Sequence, residues 1–383
     1  MNNEVDITKK LVGFNSVSNL SNKNITEWVA NYLESHGFQI EFCVYTDNSN
    51  IEKFNLIAKA GNGNSGMAYF AHTDTVPVNE WSVPGSDPFN AKIIDDKLYG
   101  RGSCDMKGSL ACMLSAISRI NIKQLQNSLY VVCTADEEIG FGGAQEVVKS
   151  SKYYNEIVTS SENPKENIRC VVGEPTELKV ISSHKGIAGF RATARGRAAH
   201  TSTKEAINAN WKLLPFLNEL YKIRKETETD SSWLNSSFDP QTISFHIQIC
   251  DDRSAVNTSA AYSECVGQFR PMPDTNVRKI MERVFLAAKK FEIDLEMEHD
   301  FPALEDHGNQ LIVRESLNLT NTADALTVPY ATDACALKRL KQVVVMGPGS
   351  ISQAHTSEEY ISLNQLNLGN NLFMRCINQW CLS

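Results

Sequence analysis

The chain has 383 residues, more than one hydrophobic core commonly serves, and its 42% hydrophobic and 21% charged residues make an ordinary globular composition, so two domains are expected. A formal net charge of −8 with no Lys/Arg-rich run excludes the basic footprint of a nucleic-acid binder, and no window approaches the ~18 apolar residues of a membrane span. The polar, acidic start reads as lacking a secretory signal, and ten cysteines without a CxxC pair read as reduced, largely buried thiols of a cytosolic protein.

Residues 5–14 and 25–36 carry apolar spacing near 3.6 and predict two helices, with Ser21 and Asn22 placed to cap the second. Strands are expected over Phe38–Tyr45, Asn55–Ala60 and Met67–Ala71. Asp95-Asp96 is expected to turn a hairpin before Lys97–Gly100. A helix at Leu110–Ile120, a strand at Ser128–Thr134, a helix from Gly143 and a strand at Val171-Val172 complete an alternating pattern. Such alternation predicts an α/β fold with a mostly parallel sheet.

The texture changes near residue 180. Strand Gly186–Ala194, helix Ala206–Lys225, strands Thr242–Ile249 and Ala261–Arg270, helix Val277–Phe291 and strand Asp294–Glu298 form a βαββαβ unit, the ferredoxin-like order. From about residue 300 the α/β texture resumes with a helix over 309–322, a strand at Val343–Met346 and a helix from Leu363. The expected organisation is therefore a catalytic domain in two parts, 1–181 and 300–383, with residues 182–299 inserted as a ferredoxin-like domain.

Four predicted strands of the outer layer end at chemically telling residues. Met67–Ala71 leads to His72 and Asp74, Ser128–Thr134 to Asp136-Glu137-Glu138, Val171-Val172 to Glu174, and Val343–Met346 towards His355; Asp105 lies on a loop between. The carboxyl ends of strands in an open α/β sheet form its ligand crevice, so these groups can converge. Singly, each has an ordinary reading: Glu137-Glu138 as a solvated pair before a helix, Asp105 as a helix cap. Together they form a mixed imidazole–carboxylate set, which suits zinc, cobalt or manganese and is unlike a thiolate structural site. Five ligands exceed what one catalytic zinc takes and suit two metals sharing a carboxylate. Cys104 beside Asp105 invites a nucleophile reading, but no basic neighbour or helix start is evident to lower its pKa.

The segments HTDTVP, DPF, DDKLYGRGSCDMKG, TADEE, GEPT, HKG, GRAAHTS, FRPMP and GPGSISQAHTSEEY, in this order, resemble the two-metal amidohydrolase and metallopeptidase family. That family includes acetylornithine deacetylases, succinyl-diaminopimelate desuccinylases, aminoacylases and carboxypeptidase G. TADEE, GEPTEL…SSHKG and GPGSISQAHTSEEY are most similar to the acetylornithine deacetylase subgroup. The resemblance implies a zinc-peptidase-like α/β catalytic domain with an inserted lid and dimerisation domain. It also implies a cytoplasmic homodimer holding two divalent ions, zinc or else cobalt or manganese, and acting on N-acyl amino acids. The reaction expected is deacetylation of N2-acetyl-L-ornithine in arginine biosynthesis, with the desuccinylase, aminoacylase or dipeptidase reaction as the alternative.

Carried over by motif, the resemblance gives His72 and Glu174 to one metal, Glu138 and His355 to the other, and Asp105 to both. Asp74 would hydrogen-bond the His72 imidazole and fix its tautomer. Glu137 would be the general base. His200 in Gly196-Arg197-Ala198-Ala199-His200 would help stabilise the oxyanion, often across a dimer interface in this family. Arg270 and Asn257 match positions that bind the substrate carboxylate or the oxyanion region, and the backbone at Gly347–Gly349 is expected to offer free N–H groups to a carboxylate. Asn257-Thr258-Ser259-Ala260 lacks the proline the family commonly places after this asparagine, so that loop is expected to take a different path. Thr332-Asp333 falls where the family often has a Ser/Thr-Asp pair, without an assigned role. A scaffold protein descended from such an enzyme would have lost a ligand or the base; all six residues are present.

Overall fold

The computed structural model describes residues 3–162, 167–305, 310–337 and 339–383. The chain divides into two compact units, one of Met1–Ser182, Asp306–Leu326 and Thr332–Ser383, the other of Ser183–Glu305 and Thr327–Ala331.

Helix α1 (Glu4–Val12) starts at Asn3, whose side chain accepts the Asp6 N–H at 2.8 Å, and it buries Ile7, Leu11 and Val12. Helix α2 (Lys23–Ser35) buries Ile25, Val29, Ala30 and Leu33 at helical spacing. Asn22 stands at its start but makes no side-chain cap bond. Its amide instead donates to Phe54 O at 2.8 Å and Thr73 Oγ1 at 2.9 Å, and accepts the Phe54 N–H at 2.9 Å, tying the helix to the sheet. The expected cap is thus spent on tertiary bonds.

Strands β1 (Gln39–Thr46) and β2 (Glu52–Ala60) form an antiparallel pair, and β3 (Gly66–His72) is buried throughout. Strands β4 (Lys92–Ile94) and β5 (Lys97–Tyr99) form the anticipated hairpin. Its turn holds Asp95 and Asp96 at φ of 46° and 59°, the left-handed pair that a two-residue hairpin favours. Helix α3 (Lys107–Ser118) is buried on all sides up to Ile117, as the apolar and small residues that follow Lys107 require. Strand β6 (Ser128–Thr134), helices α4 (Gly142–Ser150) and α5 (Lys152–Glu162), and strands β7 (Ile168–Val172) and β8 (Ile181–His184) follow.

The second unit contains β9 (Ile187–Arg195), α6 (Ala209–Thr229), β10 (Ser244–Asp251), β11 (Tyr262–Arg270), α7 (Val277–Lys290) and β12 (Asp294–Phe301). Its antiparallel sheet runs β10-β11-β9-β12, and the core joins Phe190, Phe216, Leu220, Phe245, Phe269 and Val284. Alternation puts Ile243, Phe245, Ile247 and Ile249 on one face, yet only the first two are buried; Ile247 and Ile249 stay exposed.

The chain then forms α8 (Leu311–Thr320), β13 (Leu326–Val328), β14 (Val343–Val345), β15 (Tyr360–Ser362) and α9 (Leu363–Cys381). Residue 309, where the first of these helices was anticipated to begin, lies outside the described residues. The large sheet has the order β1-β2-β6-β3-β7-β14-β8-β13. It is parallel across β6-β3-β7-β14, the four strands that carry the site, and antiparallel at β1-β2, β2-β6 and β14-β8. A small sheet, β15-β5-β4, pairs Tyr360 with Tyr99 and so fastens the segment after His355 to the segment before Asp105. No helix among the described residues is long and apolar enough to cross a membrane.

Candidate metal centre

The parallel strands end side by side, and their loops bring five of the anticipated residues into two overlapping groups. His72, Asp105 and Glu174 form one and Asp105, Glu138 and His355 the other, the possible ligand atoms of each lying within 4.8 Å of one another. Asp105 belongs to both through different oxygens: Oδ1 is 3.0 Å from His72 Nε2, and Oδ2 is 3.4 Å from His355 Nε2. His355 Nε2 is also 3.0 Å from Glu138 Oε2, and His72 Nε2 is 3.9 Å from Glu174 Oε1.

The donor chemistry fits a cation. His72 Nδ1 lies 3.0 Å from the carbonyl oxygen of Asp74, which can only accept, so Nδ1 carries a proton. In the neutral ring the Nε2 lone pair then faces the lone pairs of Asp105 and Glu174, an arrangement only an added proton or a metal ion relieves. Glu138 Oε1 and Glu174 Oε1 are buried without a hydrogen-bond partner among the described residues, and neither oxygen can supply one for the other.

The protonation balance records the same crowding. Burial alone would lower the His72 pKa, but the Asp105 hydrogen bond and the charges of Glu174 and Glu137 hold it well above its usual value. Hydrogen bonds to Asp105 and Glu138 raise His355 to about 10. Burial opposes ionisation of Asp105, yet its bonds to His355 and His72 prevail and hold it well below the ordinary range. Glu137 and Glu174 are pushed well up, first by burial and then by neighbouring carboxylates, against the opposing charge of His72.

Glu137 and Glu138 are set by the loop after β6. Asp136 takes φ of 56° there, and His355 takes 63°; the left-handed conformation costs a non-glycine residue about 1 kcal/mol and is held by surrounding bonds. For Asp136 those bonds come from Tyr45 OH at 2.6 Å and the buried Lys53 Nζ at 2.7 Å. The Asp74 carboxylate accepts the N–H groups of Glu137 at 3.2 Å and Glu138 at 3.3 Å, and the Ser18 hydroxyl at 2.7 Å. It stands 3.6 Å from His72 Nδ1, so the bond that fixes the imidazole tautomer comes from the Asp74 carbonyl and not from the carboxylate expected to make it.

Asp333, to which no role was given, is buried beside these groups. Its Oδ2 accepts the Thr134 hydroxyl at 2.5 Å, its charge bears on Glu137 and Glu174, and burial pushes its pKa up to about 6 against the Thr134 bond and His72. Tyr45, Lys53 and Asp136 had no signal in the sequence beyond Asp136 preceding Glu137. The Cys104 thiol is pushed far up by burial and by the charges of Glu359 and Asp105, and it donates to Ser350 O at 3.3 Å, which closes the nucleophile reading.

The turn at Gly347–Gly349 corrects an expectation. The Gly347 N–H donates to Thr176 Oγ1 at 3.2 Å and the Gly349 N–H to Gln365 Oε1 at 3.1 Å, so neither is open to a substrate carboxylate. Gly349 is needed for other reasons: its φ is +94°, and a Cβ there would sit 2.6 Å from Cys104 Sγ.

The second unit holds His200, Asn257 and Arg270. His200 is exposed, and its Nδ1 lies 2.7 Å from Ser202 Oγ and 3.3 Å from the Ser202 nitrogen. Its neighbour Thr201 donates its N–H to Asn257 O at 3.0 Å, so the His200 and Asn257 segments run together. Arg270 ends β11 opposite Ser244, and its charge reaches the buried His184.

The model of peptidase family M20/M25/M40 matches residues 68–379, a span that contains all eleven residues singled out for the site. The chain belongs to this family. Among its M20-family relatives, the acetylornithine deacetylase of Pasteurella multocida (strain Pm70) is 31% identical over 374 residues, covering 94% of this chain and 92% of its own. The acetylornithine deacetylase of Buchnera aphidicola subsp. Acyrthosiphon pisum (strain Tuc7) is 28% identical and covers 98% of each chain. The fold matches that of an M20 family metallo-carboxypeptidase from Sulfolobus solfataricus, with a TM-score of 0.72 at 14% identity over 98% of this chain and 99% of that one. It also matches a dinuclear metal-binding M20 peptidase from Bacillus subtilis, with a TM-score of 0.62 at 14% identity over 98% and 96%.

Proposed function

We propose that this M20 hydrolase removes the acetyl group from N2-acetyl-L-ornithine, giving L-ornithine and acetate, by metal-dependent amide hydrolysis. The observation that carries the reaction class is Asp105, whose two oxygens serve two overlapping three-residue groups. The substrate rests on the relatives of that name, which align over nearly the whole of both chains.

His72, Asp105 and Glu174 would hold one divalent ion and Asp105, Glu138 and His355 the other. Zinc suits these nitrogen and oxygen donors, as do cobalt and manganese. Such a pair, when bound, supplies Lewis-acid polarisation of the scissile carbonyl and acidifies water. Glu137, one residue from Glu138 but not in either group, takes the proton of the attacking water and returns it to the departing amine. The Asp74 carbonyl keeps the His72 lone pair aimed inwards, and the Asp74 carboxylate holds the Glu137 backbone. His200 supplies a hydrogen bond to the developing oxyanion, and Arg270 with Asn257 receives the substrate carboxylate.

The second unit serves as lid and dimerisation domain, and the enzyme works as a homodimer. Support comes from the exposed apolar residues Trp211, Leu214, Ile247 and Ile249, with β10 at the edge of its sheet. No disulfide is recorded among the described cysteines, in keeping with work in the reducing cytoplasm within arginine biosynthesis.

The test is a substrate panel with purified protein and defined zinc, cobalt or manganese. It compares N2-acetyl-L-ornithine, N-succinyl-diaminopimelate, N-acetyl amino acids and dipeptides. Fastest release of ornithine supports the assignment. No ornithine release beside turnover of another amide would move the chain to a desuccinylase, aminoacylase or dipeptidase reaction.

A further inference from the structure

Glu359 is a carboxylate buried to 1% exposure that neither metal group includes, and it makes an unusual number of bonds to one short loop. Its Oε1 accepts the N–H groups of Cys104 at 2.9 Å and of Asp105 itself at 3.1 Å. Its Oε2 accepts the Gly102 N–H at 2.9 Å and Arg101 Nη1 at 2.7 Å. Three amides can converge on one carboxylate because Gly102 turns the chain with φ of +79°. Arg101, also buried, then reaches onwards: its Nη2 donates to the carbonyl of Thr356, the residue after His355, at 3.1 Å. The Glu359 backbone closes the arrangement by accepting the Gly100 N–H at 3.1 Å.

We propose that Glu359 and Arg101 are positioning residues that set the distance between Asp105 and His355 and thereby control occupancy of the second metal position. This rests on the two-ion reading of the site. His72 ends β3, and Glu174 follows β7 by two residues, where the parallel sheet holds the backbone. Glu138 and His355 stand on loops, and His355 is half exposed in a left-handed conformation. The Asp105–Glu138–His355 group therefore depends on loop anchoring more than the His72–Asp105–Glu174 group does. Loss of the clamp would weaken the ions unequally. A residue that merely supports the fold would not discriminate between them.

The experiment is calorimetric titration of metal-free protein with zinc, with ion content measured after dialysis and folding followed by circular dichroism. Wild type is expected to take two ions. Glu359→Gln keeps the first ion's affinity and weakens the second by about 10- to 100-fold, because an amide cannot accept all four donors. Since Glu359→Gln leaves the Arg101 charge buried and unpaired, the double variant R101M/E359Q carries the comparison if the single one does not fold. It too is expected to hold the second ion weakly. Glu4→Gln is the control: Glu4 is likewise buried and bonded to Ser115, Arg119 and Asn370, so its loss should lower stability with both ions unchanged. Equal weakening of both ions in E359Q, wild-type affinity for both, or full recovery of the second ion in R101M/E359Q would overturn the clamp. A wild-type protein that takes fewer than two ions overturns the two-ion reading and the clamp with it.

Discussion

The Asp74 carboxylate accepts the backbone N–H of Glu137 at 3.2 Å, while the Asp74 carbonyl faces His72 Nδ1 at 3.0 Å. One residue thus orients a metal-type ligand through its main chain and the proposed base through its side chain. Asp74→Ala keeps the carbonyl and removes the carboxylate. It is expected to lower kcat about 10- to 100-fold while metal content changes little, because the tautomer of His72 is retained. Steady-state kinetics with metal analysis of the same preparation checks this. Loss of the metals from Asp74→Ala would return the imidazole-fixing role to the carboxylate.

Glu137→Gln keeps the shape of the side chain and removes its capacity to take a proton. Turnover should fall by about 10²- to 10⁴-fold, the range of a general base, with both ions still bound. Should the variant lose an ion, Glu137 and Glu138 have been given each other's roles.

Removal of the ions by a chelator is expected to abolish activity and to lower Tm, both reversed by added zinc. Without cations, Glu137, Glu138 and Glu174 keep crowding one another, and Glu138 Oε1 and Glu174 Oε1 lack partners among the described residues. An ion present at a hundred times its Kd contributes about 2.7 kcal/mol to folding. Calorimetric melts with and without zinc measure the difference.

His184 gives the second unit a pH dependence of its own. Burial lowers its pKa to about 4 from 6.5, with the Arg270 charge adding to the shift against the hydrogen bond to the Lys185 carbonyl. The unfolded chain binds a proton there below about pH 6.5 and the folded chain does not until near 4, so stability is complete above 6.5 and is lost as pH falls towards 4. The loss is on the order of 3 kcal/mol. Denaturant melts at pH 7 and 4.5 should therefore show a smaller difference for His184→Gln than for wild type.

The parts of this molecule legible in the sequence were those with a local signature. Ser128–Thr134 was expected as a strand and is one between the same residues, because six consecutive residues of β-forming or apolar character, Leu129–Thr134, leave little choice. The Asp95-Asp96 hairpin announced itself by turn chemistry. Strands β8, β13 and β15 were not anticipated. Each has only three or four residues, too short for a period, and exists through partners far away in the chain. Helix α5 escaped as well, since Lys152–Glu162 is rich in Tyr, Asn, Thr and Ser and is fixed by burial of Tyr154, Ile157 and Val158.

The site divides along the same line. His72, Asp105, Glu138, Glu174 and His355 were visible because residue type and position at a strand end travel with the motif. The occupied amide of Gly349 was not visible, since its acceptor on Gln365 is a matter of where α9 packs. Nor was the use of the Asp74 carbonyl in place of its carboxylate, a difference of side-chain direction that no residue type encodes.

The most direct measurement is anomalous diffraction at the zinc edge from crystals grown with zinc. Two peaks about 3.5–4 Å apart are expected, one beside each oxygen of Asp105, with His72 and Glu174 on one and Glu138 and His355 on the other. A single peak, or two peaks that do not share Asp105, would contradict the account.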